Sequence, residues 1–401
     1  MKNNKVIIFV DNTAHHAFGQ IHLLEAYSKL GIKVIVIVPK DDKYFFELQK
    51  FGFECINIKL DPKGINPIKD LLVIYRLKKY FIQYKPFLIC SFTIKCNLYS
   101  VIAAKSLNTK VIVNITGLGY VFLRGGIFRK FIIVLYRYAF KNLYYAFFQN
   151  SEDLDVFIES KIIKNLNVIS LIPGDGVNTL KFNFVGYELK FKQIDIIPGS
   201  GVNLKKFPFV GYNNNKNQKF QFLYSGRLLW DKGIMELLVA YQQVKEKYPY
   251  ANLVFIGNYY LSNPAAIKKS EFENLQKRFA FQYLGMVDNV GDIIADSDCI
   301  ILPSYREGVP RSILEASSMG KAVIVSDAPG CKDCVVDGVT GFVCKVKDPT
   351  DLFKQMCRII EIDNSELQQM GINGRKFVEK FFDQSIVIKK YMEISKPLLD
   401  L

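Results

Sequence analysis

The stretch that most restricts the fold is residues 299–320, CIILPSYREGVPRSILEASSMG. Cys299 to Leu302 is an apolar run without polar alternation, the pattern of a parallel strand buried on both faces. Pro303 to Gly308 is rich in turn formers and carries Arg306 and Glu307. Pro310 suits the first turn of a helix, where a missing N–H removes no hydrogen bond. The spacing predicts a helix over Ser312 to Met319, with Glu315 near its start. A strand, a turn and a helix in that order belong to an α/β sheet. The turn then lies at the carboxyl edge, beside unpaired N–H groups and a positive dipole end. Such a turn suits an anionic ligand. The two carboxylates would repel phosphate itself, so they are assigned to hydroxyls: polyol recognition with phosphate held nearby. By spacing alone, a surface turn with two solvated acids reads equally well.

A chain of 401 residues fits two α/β domains of similar size, and the hydrophobic half of its residues is ample for their cores. No apolar run approaches the roughly 18 residues of a membrane span. The opening MKNNKVIIFVDN has too short an apolar core for a signal peptide, so a cytoplasmic protein is expected. Its eight cysteines lie mostly in apolar runs and read as reduced core thiols. Cys331 and Cys334 have C-x-x-C spacing, but no second pair or nearby histidine completes a metal site.

Charge is unevenly spread. Residues 1–190 carry 26 Lys and Arg against 14 Asp and Glu, whereas the remainder carries 27 against 24. A basic first half implies an anionic partner: nucleic acid, phospholipid headgroups or a phosphorylated substrate. Nucleic acid is the weakest of these, since no helix-turn-helix, zinc-finger or RNP-like pattern is present.

Val6 to Val10, a loop to Gly19, a helix from about Gln20 to Leu30 and a strand at Lys33 to Val38 open a doubly wound domain. The loop places His15, His16 and Gly19 where such folds present ligand-binding groups, although a loop histidine is more often merely solvated. Further strands are expected near Glu54 to Ile58, Phe87 to Phe92, Val111 to Ile115, Tyr144 to Gln149 and Val168 to Ile172. After the strand at Val111 comes Thr116-Gly-Leu-Gly-Tyr-Val-Phe122, where Gly117 and Gly119 let backbone approach a ligand or simply make a turn. Arg124 to Lys141, RGGIFRKFIIVLYRYAFK, is a basic, aromatic-rich helix. It reads as a surface resting on anionic lipid, or as a packed helix whose basic ends snorkel to water.

Ile172-Pro-Gly-Asp-Gly-Val-Asn178 recurs as Ile197-Pro-Gly-Ser-Gly-Val-Asn203, an offset of 25 residues and too few copies for a solenoid. The polar segment Asn213 to Lys219 marks a domain boundary. Phe220 to Tyr224 starts a second doubly wound domain and leads into Ser225-Gly-Arg-Leu-Leu-Trp-Asp-Lys232-Gly233. Gly226, Arg227 and Lys232 before a helix over Ile234 to Lys247 would seat a diphosphate through close backbone, two cations and a helix N-terminus. Asp296-Ser-Asp298 is formally D-x-D, but it sits in a helix-to-strand turn and is assigned no metal.

Glu307-Gly-Val-Pro-Arg-Ser-Ile-Leu-Glu315 resembles the E-x7-E motif of retaining glycosyltransferases with the GT-B fold, specifically glycosyltransferase family 4. The Arg227 to Gly233 loop resembles that family's donor-phosphate motif. Pro329-Gly-Cys-Lys-Asp333 and Asp337-Gly-Val-Thr-Gly341 also match, so the resemblance covers nearly all of the C-terminal half. It is similar to N-acetylgalactosaminyl- and other N-acetylhexosaminyltransferases that act on polyprenyl-diphosphate-linked glycans. The resemblance implies two Rossmann-like domains with parallel sheets facing a central cleft. Their expected bounds are 1–190 for the acceptor domain, 191–218 for a linker holding the repeat, 219–380 for the nucleotide-sugar domain and 381–401 for a helix returning to the first domain.

It also implies a metal-independent retaining transfer from a nucleotide sugar, with a UDP-linked hexose or N-acetylhexosamine as donor. Glu307, Arg227 and Lys232 are the expected catalytic residues. Glu307 would contact the donor sugar's hydroxyls and Glu315 the ribose, with Gly226, Gly308, Val309 and Pro310 nearby. Gly285, Met286 and Val287 fall where the family holds the base. His16, Gly19, Thr116, Gly117 and Gly119 fall on the acceptor side, where Asn114 and Thr116 replace a histidine carried by many relatives. The expected partners are the nucleotide sugar, a glycan or polyprenyl-diphosphate-linked acceptor and the anionic cytoplasmic face of a membrane, with no nucleic acid. A nucleotide-sugar 2-epimerase of the same fold and an inactive membrane-associated scaffold are the alternatives.

Overall fold

The computed structural model describes the chain apart from residues 1–4, 42, 61–65, 108, 119–125, 164–168, 172–200, 213–218, 261–262 and 400–401, and apart from the side chains of 126–128, 142 and 169–171. Described residues 5–171 and 385–399 form one unit, and residues 201–384 form a second.

The first unit is built on seven parallel strands: β1 (Val6–Val10), β2 (Lys33–Val38), β3 (Glu54–Asn57), β4 (Leu88–Phe92), β5 (Lys110–Ile115), β6 (Tyr145–Phe148) and β7 (Ile169–Leu171). They lie in the order β3-β2-β1-β4-β5-β6-β7. Ile8 of β1 stands between Ile35 of β2 and Ile89 of β4, which explains the continuous apolar runs: every central strand is covered above and below. Helices Pro67–Tyr84, Ile94–Ala104, Gly126–Ala139 and Ser151–Glu159 cover one face through Leu77, Phe81, Tyr99, Tyr136 and Phe157. Helices Ile21–Lys29 and Tyr44–Lys50 cover the other, joined there by Gln384–Leu399, whose Tyr391 is buried beside Tyr27 and Phe147. Tyr27 Oη lies 2.9 Å from Ser395 Oγ, tying the end of the chain to its beginning.

The second unit repeats the plan with six parallel strands: β8 (Phe220–Ser225), β9 (Ala251–Ile256), β10 (Gln282–Tyr283), β11 (Cys299–Leu302), β12 (Ala322–Ser326) and β13 (Phe342–Cys344). Their order is β10-β9-β8-β11-β12-β13. In each sheet the strand order reverses beside its first strand, between β1 and β4 and between β8 and β11. Open α/β sheets bind ligands at the carboxyl ends of the strands flanking such a reversal. Helix starts are set locally: Asp348 accepts from Asp351 N–H at 2.9 Å and Asp363 from Glu366 N–H at 2.8 Å, each capping an orphan donor.

Residues 201–212, which the sequence reading places in the linker, pack with the second unit. Val202 N–H donates to Phe382 O at 2.8 Å, and Arg375 Nη1 donates to the carbonyl of buried Phe207 at 3.0 Å. The first copy of the repeat and the start of the second lie outside the described residues.

Candidate active site

The turns after β8 and β11, the two strands at the reversal of the second sheet, are laced together. Asp231 O accepts from Tyr305 N–H at 2.9 Å and from Ser304 Oγ at 3.4 Å. Lys232 Nζ donates to Glu307 Oε1, with the two side chains only 10% and 16% exposed. Gly233, which opens helix Ile234–Lys247, has φ +70°, and a Cβ there would overlap the Pro303 carbonyl. Glycine is therefore required both for the backbone sign and for the close approach of the two turns. Arg227 lies exposed in the same turn, its guanidinium 5.4 Å from the Tyr260 ring centroid, and Gly226 N–H donates to Ile256 O at 3.1 Å.

Glu307 is supported from beneath. Its N–H donates to Pro329 O at 3.0 Å, and Asp333 Oδ2 accepts from Gly330 N–H at 2.9 Å. Among the described residues, the N–H groups of Gly308 and Val309 donate to no protein acceptor. They precede helix Arg311–Ser318, with Pro310 at its N-cap rather than inside its first turn as the sequence reading had it. Glu315 therefore sits in the second turn, at the middle of the helix. Its side chain is 14% exposed and lies 3.5 Å from Arg311 Nη2. Burial pushes its carboxyl above the ordinary range, against the pull of Arg311 and Lys206.

Gly285 follows the edge strand β10 at φ +71°, and its carbonyl accepts from Gly257 N–H at 2.8 Å. Met286 is exposed, and Val287 is half-buried against the core. These residues thus share the carboxyl edge with Gly226, two strands away from it. Chemically, the edge offers a lysine–glutamate pair, an exposed arginine, two open N–H groups and a second carboxyl. That set suits an anionic leaving group together with hydroxyls.

In the first unit the sequence-predicted residues fare unequally. His16 Nδ1 lies 2.6 Å from Oδ2 of Asp11, a fully buried carboxylate directly after β1. Gly19 caps the short helix Ala14–Phe18 at φ −60°, its N–H donating to His15 O at 3.1 Å. Thr116 and Gly117 follow β5, with Gly117 at φ +127°. Gly119 lies outside the described residues. Asn114 is buried, receives Asn97 Nδ2 on its carbonyl at 2.8 Å and faces Tyr391 Oη at 3.3 Å, so it ties strand to helix.

Residues 210–377 match the family model for glycosyl transferases group 1. Those residues form a glycosyltransferase group 1 domain. The chain is 28% identical over 377 residues, 93% of each chain, to the Campylobacter jejuni N,N'-diacetylbacillosaminyl-diphospho-undecaprenol alpha-1,3-N-acetylgalactosaminyltransferase. A Rickettsia africae glycosyltransferase structure matches 99% of both chains with a TM-score of 0.75 at 17% identity. An Anabaena protein solved with UDP and glucose matches 99% of this chain and 100% of its own with a TM-score of 0.74 at 15% identity. The fold is GT-B.

Several features of this glycosyltransferase escape a linear reading. Asp11 meets His16, and Lys206 bears on Glu315, only through the packing of the folded chain. Tyr305 Oη donates to Glu236 Oε1 at 2.7 Å, bracing the Glu307 turn against helix Ile234–Lys247. Cys331 and Cys334 are buried beneath that turn, their sulfurs facing the carbonyls of Ser304 and Gly330 at 3.9 and 3.4 Å, and burial pushes both thiols up. Asp298 Oδ2 accepts from Gln221 N–H at 2.7 Å, so the formal D-x-D braces a turn. Among the described residues, no group of three or more His, Cys, Asp or Glu side chains is arranged to hold a metal. Among the described residues, no helix is long and apolar enough to cross a membrane.

Proposed function

We propose that the protein transfers a sugar, with retention at the anomeric carbon, from a UDP-linked hexose or N-acetylhexosamine to a glycan carried on polyprenyl diphosphate. Such a step belongs to surface-polysaccharide or glycoprotein-glycan assembly. The name of the Campylobacter relative supports this acceptor class, and the UDP and glucose in the Anabaena structure support the donor class. The observation that carries the reading is the largely buried Lys232–Glu307 pair at the β8/β11 reversal, beside the N–H groups of Gly308 and Val309, which donate to no protein acceptor among the described residues.

In this reading the bond between the sugar's C1 and the diphosphate oxygen breaks and its electron pair leaves with UDP, while an acceptor hydroxyl bonds to C1 on the same face and gives up its proton to the departing diphosphate. Arg227, Lys232 and the N-terminus of helix Ile234–Lys247 neutralise the departing diphosphate without a metal. Gly226 lets the backbone come close to it. Glu307 holds the donor sugar's hydroxyls, oriented by Gly308 and Val309 N–H with Pro310 fixing the turn, while Glu315 takes the ribose. Gly285, Met286 and Val287 line the base. His16, Gly19, Thr116, Gly117 and Gly119 belong to the acceptor side, and a lipid-linked acceptor calls for an enzyme peripheral on the cytoplasmic face of a membrane.

The test is a screen of nucleotide sugars for ligand-induced thermal stabilisation, followed by transfer assays with and without chelator. UDP-sugars should stabilise the protein and support chelator-resistant transfer. Free epimer released without an acceptor would instead make it an epimerase. Intact UDP binding with transfer and hydrolysis at background would make it a scaffold.

A further inference from the structure

Helix Pro67–Tyr84 has two apolar faces on opposite sides. Val73, Leu77 and Phe81 are buried against the first sheet. At about 100° per residue, Ile68, Leu71, Leu72, Tyr75 and Ile82 share an arc of about 100° pointing the other way. That second face is open: Ile68 is 70%, Leu71 65% and Tyr75 68% exposed, and Leu72 and Ile82 are about half exposed. The stripe runs about 21 Å along the helix. Isolated exposed apolar residues need no explanation, but a contiguous stripe marks an interaction surface.

The flanks point to the kind of partner. Lys69 and Arg76 border the stripe on one side and Lys78 on the other, and Lys79 lies within it. The helix's only acid, Asp70, is turned toward the protein and bound by Lys95 at 3.1 Å. Helix Ile94–Ala104 packs against both Pro67–Tyr84 and Gly126–Ala139 on the same face of the sheet. Gly126–Ala139 repeats the pattern, with Phe131, Val134 and Tyr138 more than half exposed beside Lys130 and Arg137 and with no acid. Both outer faces therefore point away from one side of the sheet, each apolar along its ridge, the first cationic along both edges and the second along one. An apolar ridge with lysine and arginine borders fits acyl chains below and anionic headgroups above.

We propose that this side of the first unit docks on an anionic phospholipid bilayer, with the Ile68–Leu71–Tyr75 ridge of helix Pro67–Tyr84 as the inserting element. The proposal deepens the lipid-linked-acceptor reading and rests on it for its biological sense, but its physical content stands apart from catalysis.

The experiment is co-sedimentation of the full chain with vesicles of phosphatidylcholine containing about 30% phosphatidylglycerol, and with phosphatidylcholine alone. The wild type should partition to the anionic vesicles, less so at higher salt, and Leu71→Glu/Tyr75→Glu should lower that partition at least tenfold. UDP-induced thermal stabilisation, read in parallel, reports on the fold and on the donor site. If UDP fails to stabilise the wild type, the donor reading falls while the vesicle result still decides this one. Tyr75→Trp, a conservative change, should blue-shift in emission on anionic vesicles relative to the wild type, whose single tryptophan is Trp230. Unchanged partition in the double variant, an unshifted Tyr75→Trp spectrum, or self-association of the chain with no vesicle binding would each overturn the proposal.

Discussion

Lys232 and Glu307 meet from the turns of neighbouring strands, β8 and β11, and form an ion pair whose two side chains are only 10% and 16% exposed. Removing one partner leaves the other charge in a poorly solvated place, which costs about 3 kcal/mol when a mostly buried pair is broken from one side. Lys232→Ala and Glu307→Ala should each lower stability by roughly that much in urea titrations. The double variant should cost clearly less than the two single changes added together. Transfer should fall by orders of magnitude in each single variant while the protein stays folded. Unchanged turnover in either would remove the pair from the donor site.

Glu315 gives a pH-dependent expectation. Burial raises its carboxyl in the folded chain above the unfolded value of about 4.3. The folded protein therefore holds that proton more tightly. The resulting stabilisation is fully present below the unfolded pKa and is lost as pH rises through the folded one. Glu315→Gln, which keeps the shape without the charge, should melt above the wild type at pH 7.5 and match it near pH 4. The same variant should bind UDP more weakly. A melting difference of the same size at both pH values would show that burial of the charge is not its source.

Gly233→Ala tests the close approach of the two turns. A methyl group there meets the Pro303 carbonyl and requires a left-handed backbone, φ +70°, that alanine disfavours. The expected loss is on the order of 2–3 kcal/mol, together with weaker UDP-induced stabilisation. Gly31, also at positive φ but with nothing near its missing Cβ, is the control for backbone strain alone. Equal losses at the two positions would deny any special fit between the turns.

Much of this architecture is readable from the chain because parallel strands covered on both faces are written as unbroken apolar runs. VIIFV, CIIL and AVIVS stand in the structure as β1, β11 and β12. The loops at the second sheet's reversal are equally legible, since glycine, lysine and glutamate follow strands at short spacing. Helix Pro67–Tyr84 is harder. With apolar residues on two opposite faces, its periodicity cannot say which face meets the sheet, and only packing shows that Val73, Leu77 and Phe81 do. Gln384–Leu399 presents a related case, because Tyr391 finds Asn114 across 277 residues. No local pattern encodes such a contact.

The pairing of Asp11 with His16 is a consequence of the short turn after β1. That strand ends in a buried aspartate whose Oδ1 accepts Asn12 N–H at 2.7 Å and whose Oδ2 faces His16 Nδ1 at 2.6 Å. Thr13 Oγ1 accepts His16 N–H at 3.1 Å and fixes the backbone beneath the ring. With the carboxylate ionised, Nδ1 carries the proton and Nε2 is left as an acceptor. If the ring serves the acceptor side, Asp11 is a positioning residue that sets its tautomer and angle. Asp11→Asn can donate to Nδ1 instead, which turns Nε2 into a donor. That change should cut transfer by about tenfold or more while leaving UDP-induced stabilisation unchanged. In a His16→Ala background the same substitution should cost almost nothing further, because the group it orients is gone. A full additional loss in that background would show that Asp11 acts on something other than the ring. Added imidazole should restore part of the transfer lost in His16→Ala, and it should restore less once Asp11→Asn is also present. Equal rescue in the two backgrounds would reduce the aspartate's part to packing.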